Sequence, residues 1–434
     1  MRTKSWPNIF LIQAAAFALA LCAPRAASQT GLAAKRYLVW SQTGTEIRTP
    51  AFSPDGQLVV FVTRPYWPDG HEAEDLPESF FKSLEAKAKA DPRFADPVIQ
   101  VVDLTGKTVC ETRYGWHPQV SPDNRRVLYT EQVKPITGFR ELAESFAGNG
   151  IRTFDCESKQ TSRIADPEKG YLDTPFFSPD GRTILYTLNE AVNGAFGGAV
   201  GLARFDPQEN RSAPLLKKKT VAAVPCPPAG SAQSDRLAFL CSQGPNLTRN
   251  FSRLVFQAGP AGSGAVALVR MPIPAPGDMY LAGQYELSLI SLLPEEKVIL
   301  HLGKQGLASG SDISFQAVQG ERFLVYLDYW KLYLLATGEA LADVGPKNTN
   351  PKSIYSPDLR YYLVAEGAKP DDEPDHFVLY RTADGKRIER FRRMAQVYEA
   401  VWSPDGKRFA MIGVPLEGAN PRRHVEELVI YSVP

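Results

Sequence analysis

The stretch Ala51-Phe52-Ser53-Pro54-Asp55-Gly56 decides the fold, because it recurs along the chain of 434 residues and runs each time into an apolar segment, here residues 58–61. Four further copies keep the Ser-Pro-Asp core, and their serines are Ser121, Ser178, Ser356 and Ser403. Proline presets the first central position of a tight turn, aspartate suits the second, and glycine accepts the left-handed conformation that follows. Each copy therefore predicts two antiparallel strands joined by a tight turn.

The residue after the aspartate differs between the copies. Gly56, Gly181 and Gly406 accept a left-handed backbone without cost, and Asn124 tolerates it. Leu359 holds the same place in the fourth copy, and leucine disfavours that conformation. We therefore expect the turn at Leu359 to differ locally from the others.

The spacing of the turns indicates how many repeats the chain contains. Weaker copies near residues 233, 294 and 319 fill the gap between the third and fourth clear copies. A four-stranded propeller blade takes about 40–50 residues, and most spacings allow one blade plus loops. The sequence thus predicts an all-β protein, a β-propeller of seven blades, with eight or six blades as alternatives.

The two ends of the chain predict how the ring closes. The segment 36–40 reads as a strand but precedes the first repeat, and the last strand, 428–431, leaves its blade one strand short. An N-terminal strand that pairs with the last blade would remove an exposed sheet edge. We expect closure by that pairing.

At its Ser-Pro-Asp-Gly units the sequence resembles the WD40-like (PD40) propeller repeat of the TolB type, which also builds the propellers of prolyl oligopeptidase relatives. The resemblance covers nearly the whole chain after its N-terminal segment, and it implies an architecture without naming a function. TolB carries an α/β domain before its propeller, and the peptidases carry a hydrolase domain after theirs. The repeats here start at Ser53 and run to the C-terminus, so the expectation is a stand-alone propeller.

The first residues read as a targeting segment. Arg2 and Lys4 precede an apolar run over 9–21, and the small residues Ala26 and Ser28 follow it. This is the layout of a secretory signal peptide. We expect a signal peptide at 1–28, a single propeller domain at 29–434, and a periplasmic or secreted protein.

Cys22 raises the question of a lipid anchor. A bacterial lipoprotein signal places a small residue before its cysteine, whereas Leu21 stands there in this chain. Lipid anchoring at Cys22 is therefore not expected. No second apolar stretch is long enough to span a bilayer, so the sequence does not predict a membrane-spanning protein.

Four of the five cysteines follow the predicted signal peptide, and an oxidising compartment permits disulfides. Cys226 and Cys241 lie symmetrically about the turn of the weak repeat near residue 233, which places them opposite each other on adjacent strands. A disulfide between them is predicted, with separate buried thiols as the alternative. No comparable argument pairs Cys110 with Cys156.

The first repeat contains an insertion that is aromatic and partly helical. Tyr66 and Trp67 belong to its loop, and residues 77–88 read as a short helix that places Phe80, Phe81 and Leu84 on one face. A second segment, 139–146, has the same character. Either these faces pack on the rim of the propeller or they form a lid or a docking element for a partner.

Known catalytic motifs are absent from the sequence. It has no Gly-x-Ser-x-Gly elbow, phosphate-binding loop, dinucleotide fingerprint or EF-hand loop, and its five histidines show no metal-ligand spacing. Acidic clusters at 71–75 and 371–376 leave a divalent metal open, although no cofactor is expected. A formal net charge of +1 argues against a nucleic-acid partner.

These observations favour an exported, non-catalytic scaffold that binds a protein, peptide or other ligand in the cell envelope. The alternative is a propeller enzyme, a carbohydrate lyase or hydrolase with its site in the central channel, because oligogalacturonate lyases resemble this repeat. Histidine, carboxylate and arginine side chains that converge in the channel would favour the enzyme. A bare channel with exposed aromatic insertions would favour the scaffold.

Overall fold

The computed structural model describes residues 35–66, 78–134, 148–178, 181–192 and 195–216, strands between residues 224 and 334, and residues 337–345, 353–367, 374–391, 394–416 and 424–433. These residues form thirty strands, β1–β30, and one helix, α1. The all-β prediction is therefore confirmed.

The repeated unit is a four-stranded antiparallel sheet in which each strand pairs with the next. Sheet 1 contains β2 (Thr45–Phe52), β3 (Leu58–Pro65), β4 (Val98–Asp103) and β5 (Thr108–Arg113). Sheet 2 contains β6 (Gly115–Val120), β7 (Arg126–Glu131), β8 (Ile151–Asp155) and β9 (Thr161–Ala165). Sheet 3 contains β10 (Tyr171–Phe177), β11 (Ile184–Val192), β12 (Ala195–Asp206) and β13 (Arg211–Leu216).

The second half of the chain repeats this plan after a two-stranded sheet, β14 (Val224–Pro225) with β15 (Asn246–Leu247). Sheet 4 contains β16 (Arg253–Gln257), β17 (Val266–Pro272), β18 (Gln284–Ser291) and β19 (Lys297–Gly306). Sheet 5 contains β20 (Ser314–Val318), β21 (Arg322–Tyr326), β22 (Trp330–Leu334) and β23 (Ala340–Asp343). Sheet 6 contains β24 (Ile354–Tyr355), β25 (Tyr361–Glu366), β26 (His376–Arg381) and β27 (Arg387–Arg390).

Sheet 7 joins the two ends of the chain. It contains β28 (Gln396–Trp402), β29 (Arg408–Val414), β30 (Val425–Ser432) and, as its fourth strand, the N-terminal β1 (Lys35–Thr43). A single parallel pair, Thr45 of β2 with Val425 of β30, joins sheet 7 to sheet 1. The antiparallel register of β1 on β30 runs from Lys35 opposite Ser432 to Thr43 opposite Val425. The strand expected to pair with the last strand thus does so here, and it covers the edge of β30.

The hydrophobic core lies between neighbouring sheets. Separate clusters of buried side chains join sheet 7 to sheet 1, 1 to 2, 2 to 3, 5 to 6 and 6 to 7. Strand β16 of sheet 4 contacts β12 and β20, which belong to sheets 3 and 5. Middle strands such as β3 and β29 are buried on both faces, because sheets pack on both sides of them, whereas the fourth strands β23 and β27 are largely exposed.

The turn serine explains why the motif recurs. Its side chain is buried, and its hydroxyl oxygen accepts a hydrogen bond from the backbone N–H five residues later, at 2.9 Å from Leu58 to Ser53 and 3.0 Å from Arg408 to Ser403. The same hydroxyl donates to the turn aspartate, at 2.6 Å in both turns. These bonds satisfy polar groups that would otherwise be buried without partners.

Leu359 does not change its turn, so that expectation was wrong. Its φ of 62° matches the 69° of Gly56, and its N–H donates to the Ser356 carbonyl at 2.9 Å, as Gly56 does to Ser53 at 2.8 Å. The Ser356 hydroxyl and the Asp358 carboxylate form the usual turn contacts around it. The hydrogen bonds thus hold a leucine left-handed at a strain of about 1–2 kcal/mol.

The turns of neighbouring sheets pack against one another and define one face of the molecule, the turn face. The Asn124 amide donates to the Asp55 carboxylate at 2.5 Å, and the Arg408 guanidinium donates to the Gly56 carbonyl at 3.0 Å. A side chain added to Gly406 would lie 3.1 Å from Asp358. Sheets 6, 7, 1 and 2 are therefore adjacent in that order.

Gly106 offers a test of how closely β1 is held. Gly106 and Gly44 both have positive φ, at 86° and 72°, but a Cβ on Gly106 would lie 2.3 Å from the Val39 carbonyl oxygen of β1, whereas Gly44 has no atom within 4 Å. We expect Gly44→Ala to cost about 1 kcal/mol and Gly106→Ala about 2 kcal/mol in urea unfolding. Equal losses would mean that β1 does not pack there as described.

Candidate functional site

The first strands of sheets 1, 2, 3 and 7 are interrupted at one repeat position, four residues before the turn serine. Thr49, His117, Thr174 and Glu399 occupy that position. The strand register shifts across or beside each of these residues. In the first three copies a proline follows, and it has no N–H to continue the ladder.

The interruptions strain the backbone. The φ values are 50° at Thr49, 48° at His117 and 46° at Thr174, in a region that non-glycine residues rarely adopt. The cost is of order 1–3 kcal/mol at each position, and such strain concentrates at functional sites. Four side chains at and beside these positions, together with Glu426 of β30, form what we call the first-strand cluster, which comprises Arg48, His117, Asp173, Glu399 and Glu426.

His117 and Asp173 form one half of the cluster. The imidazole Nδ1 lies 2.6 Å from the Asp173 Oδ1, and the Thr130 hydroxyl donates to the same oxygen at 3.0 Å. Burial alone would lower the pKa of His117, but the charge and hydrogen bond of Asp173, with the charge of Glu399, raise it. Burial would raise the pKa of Asp173, and the His117 charge and its hydrogen bonds outweigh that effect and lower it.

Glu426 is the centre of the other half. Its carboxylate is 1% exposed and accepts hydrogen bonds from the Ile47 backbone N–H at 2.5 Å and from the Arg48 guanidinium at 3.2 Å. The His424 Nε2 lies 3.2 Å from the same carboxylate. These contacts bind the start of β30 to the first strand of sheet 1.

Arg48 forms ion pairs with two buried carboxylates. Its guanidinium lies 3.2 Å from both Glu426 and Glu46, and Glu46 also pairs with Arg64 at 2.8 Å. Burial would lower the pKa of Arg48, but the charges of Glu426 and Glu46 raise it. The guanidinium therefore stays charged, and it stacks over the Tyr398 ring at 5.1 Å.

Glu399 lies between the two halves. Burial raises its pKa, and the Glu426 charge adds to that effect, while Arg48, the Thr49 backbone N–H and His117 offset part of it. Among the described residues, no cationic side chain forms an ion pair with it at 4.0 Å or less. Glu399 is thus a carboxyl group that takes up a proton more readily than usual.

Stability of the His117–Asp173 pair should depend on pH in a defined window. The raised pKa of His117 gives stability that is complete below about pH 6.5 and is lost as the pH rises through the folded-state value. The lowered pKa of Asp173 gives stability present above about pH 3.9 and lost as the pH falls through its folded-state value. Urea unfolding should show the largest gap between wild type and Asp173→Asn inside this window. A gap independent of pH would contradict the pairing.

The predicted insertion residues are only partly described. Tyr66 is buried, because its ring stacks on His424 with centroids 3.7 Å apart, so it supports the Glu426 half of the cluster from the side. Its backbone N–H also donates to Gly44, whose own N–H donates to His424. Trp67 lies outside the described residues. The role of Tyr66 in partner binding stays a prediction.

The helix of the first insertion is confirmed as α1 (Glu78–Ala90). Leu84 is buried and Phe81 is half-buried, whereas the side chain of Phe80 lies outside the described part. After the helix, Arg93 fixes the segment to sheet 2 by stacking 3.7 Å from the Tyr114 ring and donating to the Gln132 carbonyl at 2.6 Å. The second expected helix, 139–146, falls outside the described residues.

The cysteines give one disulfide that sequence reasoning missed. Cys110 of β5 is bonded to Cys156, just after β8, with their Cα atoms 5.5 Å apart. The bond links sheets 1 and 2, and the sequence offered no argument for this pair. Cys226 and Cys241 lie outside the described residues, so the bond predicted between them remains a prediction.

A metal site was left open by the sequence. Within the described ranges, no group of three or more His, Cys, Asp or Glu side chains is arranged to hold a metal ion. Of the acidic cluster at 371–376, the described part is Asp375 and His376, which form a buried pair with each other. The cluster at 71–75 lies outside the described residues. The described chain has no helix that is long and apolar enough to span a membrane.

Comparison with known proteins gives similarity in structure alone. No family model matches the sequence, and no curated protein matches it. Similar solved structures include the β-propeller domain of Cps50 from Myceliophteria thermophila, at 11% identity and a TM-score of 0.47, which covers 92% of this chain and 100% of that one. The β-propeller domain of the trilobed protease from Pyrococcus furiosus has 13% identity, a TM-score of 0.47, and coverage of 89% and 95%.

TolB from Acinetobacter baumannii is also similar, at 13% identity and a TM-score of 0.32, with coverage of 68% of this chain and 53% of that one. The PD40 family itself is not matched by a family model.

Proposed function

We propose that the chain is a seven-bladed β-propeller with β1 as the strand that closes the ring. The support is that seven four-stranded sheets each contact the sheets before and after them, including sheet 7 with sheet 1. The two-stranded sheet β14–β15 would then be an excursion between blades, because β16 contacts β12 directly. We further propose that residues 1–28 are a signal peptide and that 29–434 form one periplasmic or secreted domain.

We propose that this propeller is a binding scaffold and that its ligand contacts the first-strand cluster. The observation that carries the proposal is that charged side chains from the first strands of sheets 1, 2, 3 and 7 meet at one place, with strained backbone beneath them. Burying a charged group costs free energy unless a partner compensates it. Glu399 has no close cation among the described residues, so an ion pair does not explain its position, and such groups often belong to functional sites. A protein or peptide of the cell envelope is the proposed partner.

A thermal-shift screen tests this function. Purified residues 29–434 would be mixed with a panel of short peptides and of oligosaccharides, and the melting temperature would be recorded for wild type and for His117→Gln. A binding scaffold requires at least one class that stabilises wild type and loses that effect in the variant, because bound ligand stabilises the folded state. Ligands that shift both proteins equally would place binding elsewhere on the molecule.

A propeller enzyme is the second candidate, and one observation favours it. The pKa of Glu399 is raised while that of Asp173 is lowered, and His117 lies beside both, so one carboxyl suits a general acid and the other a charged base or orienting group. Carbohydrate lyases and hydrolases use such groups. Product release from polyuronides and neutral polysaccharides, measured with wild type and Glu399→Gln, distinguishes the two. Turnover that Glu399→Gln abolishes would replace the scaffold by the enzyme.

A further inference from the structure

We propose that the first-strand cluster binds a carboxylate group, which lies between the guanidinium of Arg48 and the imidazole of His117. The inference deepens the proposed binding function and rests on it, because it names the chemical group that the cluster recognises. The site combines the two accessible cations with Glu399, and each cation is supported by a less accessible acidic residue.

The two cations are more exposed to solvent than their acidic partners. The Arg48 side chain is 30% exposed, whereas its partners Glu46 and Glu426 are 4% and 1% exposed. His117 is 37% exposed and its partner Asp173 is 18% exposed. In both pairs the cation is more exposed than its carboxylate partner. A ligand that approaches from solvent therefore meets the cations first.

Each of the two cations has one nitrogen that can donate a hydrogen bond to a ligand. His117 uses Nδ1 to contact Asp173, and its Nε2 has no hydrogen-bond partner among the described residues. The two terminal nitrogens of Arg48 contact Ile47, Glu426 and Glu46. Its Nε has no hydrogen-bond partner within the described ranges. Charge-assisted bonds from such donors to a carboxylate are among the stronger hydrogen bonds in proteins.

Charge balance decides between a carboxylate and a more highly charged anion. Arg48 is balanced by Glu426, Arg64 by Glu46, and His117 by Asp173. This leaves one negative charge, on Glu399. One proton on Glu399 removes that charge and adds an O–H donor, so the protonated cluster has no net charge that would repel an anion with a single negative charge. A dianion such as phosphate would bring excess charge close to four acidic residues.

The arrangement links binding to proton uptake. Glu399 faces Arg48, Glu426 and His117, and His117 faces Asp173 and Glu399. The raised pKa of Glu399 and of His117 both favour protonation, and a bound carboxylate favours it further by its own charge. Affinity for a carboxylate should therefore be higher at pH 5.5 than at pH 8.

Ligand-observed NMR titration tests the proposal with three probes, namely acetate, N-acetyl-trialanine with a free C-terminal carboxylate, and the same peptide as its amide. The proteins are wild type, His117→Gln, Glu399→Gln and, as the matched control, Glu111→Gln on the exposed strand β5. Circular dichroism would establish that each variant is folded. Titrations at pH 5.5 and pH 8 give the proton linkage.

We expect acetate and the free-acid peptide to bind wild type, the amide to bind at least tenfold more weakly, and His117→Gln to weaken binding about tenfold. Glu399→Gln should tighten binding about tenfold at pH 8 and reduce its pH dependence, because it removes the nearest unpaired negative charge. The control should behave as wild type. Tighter binding of the peptide than of acetate would identify a chain terminus as the source, and equal binding a free acid.

Three results would overturn the proposal, namely no binding by either acid, equal binding of acid and amide, or weaker binding after Glu399→Gln. None of them contradicts the scaffold function, which fails separately if the peptide and oligosaccharide panel gives no stabilisation that depends on His117.

Discussion

Replacing Glu426 with alanine is expected to lower the free energy of unfolding by about 3 kcal/mol, because it removes one partner of a buried ion pair. Three donors converge on this carboxylate, from Ile47, Arg48 and His424. Without it the Ile47 N–H and part of the Arg48 guanidinium stay desolvated with no acceptor. The loss stays near the lower end of the range for buried pairs because Arg48 keeps Glu46 and some contact with water.

The adjacent residue supplies the control. Glu427 pairs with Arg36 at 2.9 Å, but that arginine is 36% exposed, and exposed ion pairs contribute at most about 1 kcal/mol. Urea unfolding of Glu426→Ala and Glu427→Ala, compared at pH 7, measures the difference directly. Similar small losses in both would mean that the Glu426 carboxylate does not organise the junction of sheets 7 and 1.

Glu426→Ala should also affect the site. Arg48 would no longer be held towards β30, so its guanidinium could turn to Glu399 and neutralise it. The pKa of Glu399 would then fall, because a nearby cation favours the charged carboxylate. Through Arg48, Glu426 thus links the stability of the junction between sheets 7 and 1 to the proposed ligand site.

The features that the sequence predicted well are local ones. Ser53, Pro54 and Asp55 specify a turn by their own hydrogen bonds and dihedral preferences, so the repeat could be read without knowledge of the rest of the chain. Helix α1 was predicted for the same reason. Leu359 shows the limit of local propensity, since the bonds of Ser356 and Asp358 hold it in a conformation that leucine disfavours.

The candidate site was missed because it depends on which sheets face one another. His117 and Asp173 are 56 residues apart in sequence, and the search for histidines at metal-ligand spacing could not pair them. The alignment of the repeats nevertheless contained a signal for the site. Aligned on the turn serine, the fourth residue before it is polar in four copies, as Thr49, His117, Thr174 and Glu399, and in the first three of them a proline follows.

For the first insertion the sequence left two interpretations open, packing on the rim of the propeller or binding a partner, and partner binding stays a prediction. Tyr66 and Leu84 are buried, because one stacks on His424 and the other lies on the inner side of α1. Amphipathic helices usually pack on their own domain. Arg93 then fixes the end of the insertion to sheet 2.

Removal of the Cys110–Cys156 bond is expected to produce the largest loss of stability, about 4 kcal/mol. The bond closes a loop of 46 residues, and the entropy lost by the unfolded chain grows with loop length. Urea unfolding of Cys110→Ser/Cys156→Ser against wild type, both oxidised, measures it. A loss under about 1 kcal/mol would mean that sheets 1 and 2 are held by their core cluster without need of the covalent link.

Reduction of the same double variant then tests the bond predicted between Cys226 and Cys241. Dithiothreitol should lower the stability of wild type by at least the amount that the double substitution does. If the double variant also loses stability on reduction, a second disulfide exists, and Cys226→Ser added to the double variant should abolish that response. If reduction leaves the double variant unchanged, no bond between Cys226 and Cys241 contributes to stability, and the Cys110–Cys156 bond accounts for the whole change in stability on reduction.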